Sequence, residues 1–313
     1  MRVKVSVPAT TANLGPGFDC LGLALGLHNT VELETIGGGL RITVDGEGTL
    51  LIPTDASNLV YSAVRALFRR VGQPAPALRI HLGNAIPVMS GLGSSSAAVV
   101  GGLVAANALL GEPLAVDDLL DLAIEIEGHP DNAAPSLLGG LVVVIAAART
   151  PVYRRIETPT LRVVVAVPAF RLPTVEARAA LPEQVPLADA VFNLGRTALV
   201  VHSLSHADYD LLAAVMDDRL HQPYRTRLIP GLADVFRAAR QAGAAGVALS
   251  GAGPSVVAFA PAEHETIAQA MRLAFADHGL DARTMVLETT TEGARVVQAR
   301  SDASTGQSTA SYL

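Results

Sequence analysis

Apolar and polar residues alternate along three short segments near the start of the chain. In residues 3–7, 31–35 and 40–44 apolar side chains alternate with polar ones, which is the period of a strand with one buried face. We therefore predict an antiparallel sheet at the beginning of the protein. Residues 78–86 carry a similar alternation and predict a further strand.

Helical spacing begins after the third strand. Val60, Val64 and Leu67 lie on one side of a predicted helix, which Ser57 can cap and Gly72 can end. The same analysis predicts further elements before residue 150: helices over 95–110 and 117–127 and a buried strand over 140–147.

The pattern is interrupted near residues 149–151, and a new apolar strand begins at 161. We predict a domain boundary there, giving an N-terminal domain over 1–155 and a C-terminal domain over 156–300. The residues after 300 are small and polar, so we expect a disordered tail over 301–313. The elements predicted for the second domain are strands at 161–167, 247–249, 256–259 and 283–289 and helices near 187–203, 207–218, 231–242 and 262–278.

Composition narrows the class of function. The chain has 313 residues, half of them apolar, and a formal net charge of −6. This charge argues against a nucleic-acid partner, because phosphates are neutralised by clustered basic residues. The apolar stretches are shorter than the roughly 20 residues that a membrane span requires, and the chain starts without a signal-peptide pattern. We therefore expect a cytoplasmic enzyme with no membrane partner.

Lysine occurs once in the chain, at Lys4. Three kinds of site need a lysine within their motif and are therefore excluded: the Walker A phosphate loop, the protein-kinase ATP site with its lysine on the third strand, and the Schiff-base site of pyridoxal phosphate. Any phosphate site in this protein must use backbone amides and hydroxyl groups.

A loop of glycine and serine residues fits that requirement. It lies between a predicted strand and a predicted helix, where glycines with positive φ and free helical N–H groups can hold an anion. Taken alone, the loop fits a glycine turn with a serine N-cap equally well. The candidate ATP-binding residues are Pro87, Val88, Met89, Ser90, Gly91, Leu92, Gly93, Ser94, Ser95, Ser96 and Ala97.

Three further segments add chemistry to this loop. Residues 10–19 are an irregular stretch with Asn13 and Asp19 directly after the first strand. Residues 125–135 group acids, histidine and asparagine at the end of a predicted helix, and residues 249–255 form a second glycine turn.

Together the four segments resemble the GHMP kinase superfamily, and within it the homoserine kinase branch, over residues 1 to 295. The resemblance implies an α+β, two-domain GHMP kinase fold, with an N-terminal domain like domain 2 of ribosomal protein S5 and a ferredoxin-like C-terminal domain. It implies phosphorylation of the hydroxyl group of L-homoserine by ATP, in threonine biosynthesis. Another kinase on the same scaffold, of mevalonate or threonine type, and a catalytically silent metabolite-binding member are the alternatives.

The resemblance also implies roles for particular residues. Ser95 and Glu127 would hold Mg²⁺, with Glu125 as the alternative acid, while Arg178 and Arg225 would pair with the substrate carboxylate and Asp19 with its ammonium group. Whether Arg227 replaces Arg225 stays open, as does a homodimer. The implied catalytic residues are Asn13, Glu127, Asp131 and Asn132, and the implied substrate-binding residues are Asn13, Asp19, His129, Asp131, Thr174, Arg178, Arg225 and Gly253.

The source of the base is open at this point. Asp131 could take the proton of the substrate hydroxyl, or the reaction could proceed without a base because a loose transition state needs little early deprotonation. Asn13 and Asn132 are then expected to position the substrate. His129 is either a proton acceptor or a hydrogen-bonded structural residue.

Overall fold

The computed structural model of the protein describes residues 1–145 and 151–300. In chain order its strands are β1 (Arg2–Ala12), β2 (Leu21–Thr35), β3 (Leu40–Gly46), β4 (Leu78–Asn84), β5 (Leu141–Ile145), β6 (Val152–Ile156), β7 (Arg162–Pro168), β8 (Gly246–Leu249), β9 (Val256–Phe259), β10 (Ala282–Glu288) and β11 (Arg295–Arg300). Its α-helices are α1 (Leu59–Arg70), α2 (Ser94–Leu109), α3 (Val116–Glu127), α4 (Pro130–Leu138), α5 (Thr174–Ala179), α6 (Leu187–His206), α7 (Tyr209–Val215), α8 (Gln222–Arg225), α9 (Leu232–Gln241) and α10 (His264–Ala276).

Among the residues that the structure describes, seven strands form the first sheet. Five of them follow the order β11-β1-β2-β4-β3, while β5 pairs with the other end of β2 and with β6. The long antiparallel pair of β1 and β2 is the expected one, whereas β3 and β4 run parallel because α1 connects them as a crossover.

Helix α2 packs directly against this sheet. A Cβ atom at Gly101 would lie 2.6 Å from a methyl group of Val31 on β2, and one at Gly102 would lie 2.8 Å from the backbone oxygen of Val60 on α1. The two glycines therefore allow α2 to lie against both neighbours. This close packing fixes the N-terminus of α2, where the candidate phosphate loop ends.

The second sheet has the order β10-β7-β9-β8 and is antiparallel throughout. Helices α9 and α10 cover it, and their buried residues form a separate apolar core around Val235, Ile267, Met271 and Phe275. The turn between β8 and β9 carries residues 250–255 toward the first domain.

Several predicted elements differ from the structure. Asn58, not Ser57, caps α1, because its side chain accepts from the backbone N–H of Val60 and Tyr61 while Ser57 bonds to Asp55. Strand β11 was not predicted, and it pairs with β1 in the first sheet although it follows the second domain in sequence.

The proposed boundary between residues 155 and 156 stays a prediction, although the structure changes sheets between β6 and β7. The predicted tail over 301–313 and the interruption at 149–150 lie outside the described residues. Within the part of the chain that the structure describes, no helix combines the length and the apolar character that a membrane span needs.

Candidate active site

One cleft of about 850 Å³ lies between the two sheets and collects the predicted site residues. Apart from the two alternatives Glu125 and Arg227, every residue that the sequence singled out for nucleotide, substrate, metal or catalysis lines this cleft, except Pro87 and Leu92. These two are buried under the loop: the backbone oxygen of Pro87 accepts a bond from Ser90, and that of Leu92 accepts one from Thr10. They stabilise the conformation of the loop without lining the cleft.

The glycine and serine loop turns into α2 at Gly93, whose φ is 69°. Gly91 has a φ of 88°, and a Cβ on it would lie 2.3 Å from the backbone oxygen of Ser250. A Cβ on Gly93 would lie 2.0 Å from Oγ1 of Thr10. At both positions a side chain would be disfavoured by the positive φ and would also clash with neighbouring atoms, so glycine is required. The first N–H groups of α2 then lie at the cleft, where an anion can bind.

Two serines of this first helical turn bond to the same carboxylate. Ser95 Oγ donates to Glu127 Oε1, and Ser96 Oγ donates to Glu127 Oε2, each at 2.6 Å. These bonds stabilise a negative charge at the C-terminus of α3, where the helix dipole opposes it. The alternative acid, Glu125, pairs instead with Arg70 at 2.7 Å and does not line the cleft. The hard oxygen atoms of Ser95 and Glu127 are a donor set that suits Mg²⁺.

A buried carboxylate follows at the start of α4. Asp131 Oδ1 lies 3.0 Å from His129 Nδ1 and accepts a longer bond, 3.5 Å, from Asn132. Asn132 is held in turn by a 2.8 Å bond from Thr10. Burial opposes protonation of His129, but the bond to Asp131 and the charges of Asp131 and Glu127 outweigh it, so the pKa of the imidazole is raised above its ordinary value.

Residues 10–12 belong to β1 and not to the irregular stretch, and the remaining segment 13–19 is held in an unusual backbone conformation. Asn13, Leu14 and Asp19 all have positive φ values, of 68°, 47° and 55°. Asn13 stabilises the segment, because its Oδ1 accepts from the backbone N–H of Asp19 and its Nδ2 donates to the oxygen of Gly251. Strained backbone of this kind persists where surrounding bonds hold it, and it is concentrated at functional sites.

Asp19 forms a two-pronged ion pair across the cleft. Arg178 donates from Nη2 to Oδ1 at 2.8 Å and from Nη1 to Oδ2 at 2.9 Å. Hydrogen bonding to Asp19 raises the pKa of Arg178 against the opposing effect of burial. The pair places one negative and one positive group next to each other at the surface of the cleft, with each side chain about one-third exposed.

Arg225 lies beside this pair and is almost completely buried, with 1 % of its surface exposed. Burial and the nearby charge of Arg178 lower the pKa of Arg225 to about 10. Arg227, two residues further on, is exposed and does not line the cleft. The geometry therefore favours Arg225 over Arg227 as the group that meets a ligand.

The sequence did not identify two other sets of residues as belonging to the site. One is an apolar part of the cleft lining that includes Ile52, Val60 and Leu82, from separate parts of the first domain. The other is His221, fully buried behind Arg225. Neither has a local motif, although a histidine four residues before a candidate arginine on a short helix is a signal that could have been followed.

Comparison with known proteins supports the resemblance to the GHMP kinases that the sequence indicated. Residues 58–140 match the family of GHMP kinases N terminal domain, and residues 200–277 match the family of GHMP kinases C terminal. The homoserine kinases of Moorella thermoacetica and Carboxydothermus hydrogenoformans are 47% and 46% identical to this chain, over 294 and 292 residues. The alignments cover 94% and 93% of this chain and 99% and 96% of the relatives.

A solved structure extends the likeness to three dimensions. The crystal structure of homoserine kinase from Cytophaga hutchinsonii superposes with a TM-score of 0.85 at 34% identity, covering 95% of this chain and 97% of that one. The α+β, two-domain GHMP kinase fold expected from the sequence is confirmed. The chain belongs to the GHMP kinase superfamily and, within it, to the homoserine kinase family.

Proposed function

We propose that this protein transfers the γ-phosphoryl group of ATP to the hydroxyl group of L-homoserine, giving O-phospho-L-homoserine and ADP. One observation supports the substrate most directly: the cleft that holds the phosphate loop also presents Asp19, Arg178 and Arg225 together. A free α-amino acid carries an ammonium and a carboxylate group on the same carbon. A neighbouring carboxylate and guanidinium groups match that pattern of charge.

The nucleotide is proposed to bind with its phosphates at the N-terminus of α2. The N–H groups of Ser94 and its neighbours would donate to phosphate oxygens, and the apolar lining around Ile52 and Leu82 would contact the base. Ser95 and Glu127 would hold Mg²⁺, which when bound neutralises charge on the β- and γ-phosphates. The 2.6 Å bond between these two side chains already brings both donor atoms together.

Homoserine is proposed to bind with its carboxylate on Arg225 and Arg178 and its ammonium group on Asp19, while Thr174 and Gly253 complete the surface around it. Since Arg178 and Asp19 pair with each other in the structure, binding of homoserine to both groups would replace one ion pair by two. His129 would hold Asp131 at the reacting end, and Asn13 would hold the backbone of Asp19 near the ammonium group.

The hydroxyl group is proposed to donate a hydrogen bond to Asp131. Among the described residues, Oδ1 of Asp131 bonds to His129 and Asn132, and Oδ2 has no hydrogen-bond partner. Oδ2 can thus accept the hydroxyl proton as the phosphorus–oxygen bond forms. Orientation by Asp131 and Asn132, together with charge stabilisation at α2, would supply most of the rate because the transition state of phosphoryl transfer is loose.

The test is a coupled measurement of ADP release with L-homoserine, L-threonine and mevalonate, with the product identified by phosphorus NMR. We expect ADP release and a new phosphomonoester with homoserine only. Release stimulated by mevalonate or threonine but not by homoserine would reject the assignment, and nucleotide binding without turnover of any alcohol would indicate the silent member.

We further propose that the enzyme acts in the cytoplasm, where ATP and free amino acids are available, and that it forms a homodimer. The dimer proposal is supported by Leu187, Val191 and Leu194, three exposed apolar side chains on one side of α6. Light scattering of the wild type and of a Leu187→Glu, Leu194→Glu variant tests it: a dimer that becomes a monomer is expected.

A further inference from the structure

A fully buried histidine lies behind the substrate part of the cleft. His221 precedes α8, which carries Arg225, and none of its surface is exposed. It does not line the cleft, so it cannot touch a substrate. Its two ring nitrogens nevertheless contact two different parts of the site.

The first contact fixes the tautomer of the ring. His221 Nε2 lies 2.8 Å from the backbone oxygen of Gly15, which only accepts, so Nε2 carries a hydrogen. Nδ1 lies 3.1 Å from Arg225 Nη1, which only donates, so Nδ1 must be unprotonated. An imidazolium would place two N–H groups against each other at Nδ1.

The surrounding charges are consistent with a neutral ring. Burial lowers the pKa of His221, and Arg225 lowers it further, while Asp218 and Asp19 act in the opposite direction. Asp218 is itself engaged by Asn193 and by the backbone N–H groups of residues 220–222. Its contact with His221 Nε2 is longer, 3.4 Å, than the bond from Nε2 to Gly15.

The donors of Arg225 are divided between the protein and the cleft. Nε donates to the oxygen of Ala177 at 3.3 Å, and Nη1 donates to His221 and to the oxygen of Gly251. Within residues 1–145 and 151–300, Nη2 has no hydrogen-bond partner. The three hydrogen bonds made by Nε and Nη1 therefore fix the guanidinium plane, and Nη2 is left to donate to a ligand carboxylate.

We propose that His221 is a positioning residue of the substrate site: Nδ1 fixes the guanidinium of Arg225, and Nε2–H fixes segment 13–19 through Gly15. One ring thereby sets the spacing between the group that binds the carboxylate and the segment that carries Asn13 and Asp19. The role in catalysis rests on the proposed function, whereas the tautomer and its two bonds do not.

The packing of Phe18 agrees with this role. Its ring stacks on His221 at 5.1 Å between centroids, and the guanidinium carbons of Arg225 and Arg178 lie 5.4 Å and 5.8 Å from its centre. The aromatic ring is thus in contact with the histidine and both arginines, and it limits their movement.

Two substitutions separate the two bonds. The amide oxygen of asparagine lies as many bonds from Cβ as Nδ1 does, and the amide nitrogen of glutamine as many as Nε2. His221→Asn can keep the acceptor for Arg225, whereas His221→Gln can keep the donor to Gly15. We expect His221→Gln to raise KM for homoserine at least about tenfold, with kcat and KM for ATP within about threefold of wild type. His221→Asn should raise KM for homoserine less.

Equal KM values for homoserine in the wild type and His221→Gln would overturn the proposal. So would a parallel loss of homoserine and ATP binding in both variants with a lowered Tm, because that pattern indicates a purely structural role.

Nitrogen-15 NMR of the imidazoles, on protein without substrate, tests the tautomer separately from the reaction. The imidazole signal that is present in the wild type and absent in His221→Asn belongs to His221. It should show a neutral ring with hydrogen on Nε2. A ring with hydrogen on Nδ1, or an imidazolium near neutral pH, would overturn the inference even if the enzyme phosphorylates homoserine. A wild type that does not act on homoserine would reject the proposed function while leaving this measurement valid.

Discussion

Gly91 provides the sharpest test of the phosphate-loop geometry. Its φ is 88°, and a Cβ on it would lie 2.3 Å from the oxygen of Ser250 and 2.8 Å from that of Gly253. Both atoms belong to the backbone, so no side-chain rotation can relieve the contacts. Gly91→Ala must therefore displace either the loop or the turn at 250–253.

The free-energy cost of Gly91→Ala is estimated from two contributions. A left-handed φ costs a residue with a Cβ about 1–2 kcal/mol, and overpacking a tight contact costs about 1–3 kcal/mol. If the loop moves, about 2–5 kcal/mol is lost from the nucleotide site. At about 1.4 kcal/mol per tenfold change, ATP binding should weaken by a factor of roughly 30 to several thousand.

Gly111→Ala is the matched control. Gly111 has a similar φ of 77°, but a Cβ there would have no atom of residues 1–145 or 151–300 within 4 Å. Titration calorimetry with Mg·ATP, together with thermal unfolding, should show both variants less stable than wild type and only Gly91→Ala impaired in binding. If Gly91→Ala binds Mg·ATP within about threefold of Gly111→Ala, the loop does not hold the phosphates as described.

Three further predictions concern the charged groups. Glu127→Gln should lower kcat roughly 100-fold or more, because a proposed Mg²⁺ ligand is lost, and steady-state kinetics at varied Mg²⁺ measures this. Arg178→Ala and Arg225→Ala should each raise KM for homoserine about 30-fold or more with ATP affinity little changed, as titration calorimetry can show. The raised pKa of His129 contributes stability that is complete below its unfolded pKa of about 6.5 and is lost as pH rises through the higher folded pKa. The difference in free energy of unfolding between wild type and His129→Gln should therefore shrink as pH rises above about 6.5.

Two of these predictions have an internal control. Glu125→Gln alters the same helix outside the cleft and should keep wild-type kcat, while Arg227→Ala should leave KM for homoserine unchanged. A Glu127→Gln enzyme as active as Glu125→Gln contradicts the metal assignment. Homoserine kinetics unaltered in both arginine variants reject the carboxylate site, and a stability difference for His129→Gln that grows with pH contradicts the direction of its pKa shift.

The sequence predicted the elements with strong periodicity. The strand, loop and helix around Gly91 were predicted within two residues, because alternation ends and a long apolar helix begins there. Helix α4 was missed because it has prolines at both 130 and 135 and only nine residues. Strand β11 was missed because it is an exposed edge strand, in which side-chain burial does not impose alternation.

The site residues required more than local patterns. Asp19 and Arg178 are 159 positions apart, and no periodicity connects them. The family resemblance indicated both, and the structure places them in contact. The family resemblance did not indicate His221. Its role depends on which carbonyl and which guanidinium lie next to its two ring nitrogens, and only the tertiary structure determines this.

The most direct test of the account uses substrates that lack one charge. 3-Aminopropan-1-ol has the hydroxyl and ammonium groups of homoserine without the carboxylate, and 4-hydroxybutanoate has the carboxylate without the ammonium group. If Asp19, Arg178 and Arg225 bind both charges, kcat/KM from ADP release should fall at least about 30-fold for each analogue relative to L-homoserine. An analogue phosphorylated as efficiently as L-homoserine would contradict recognition of both charged groups.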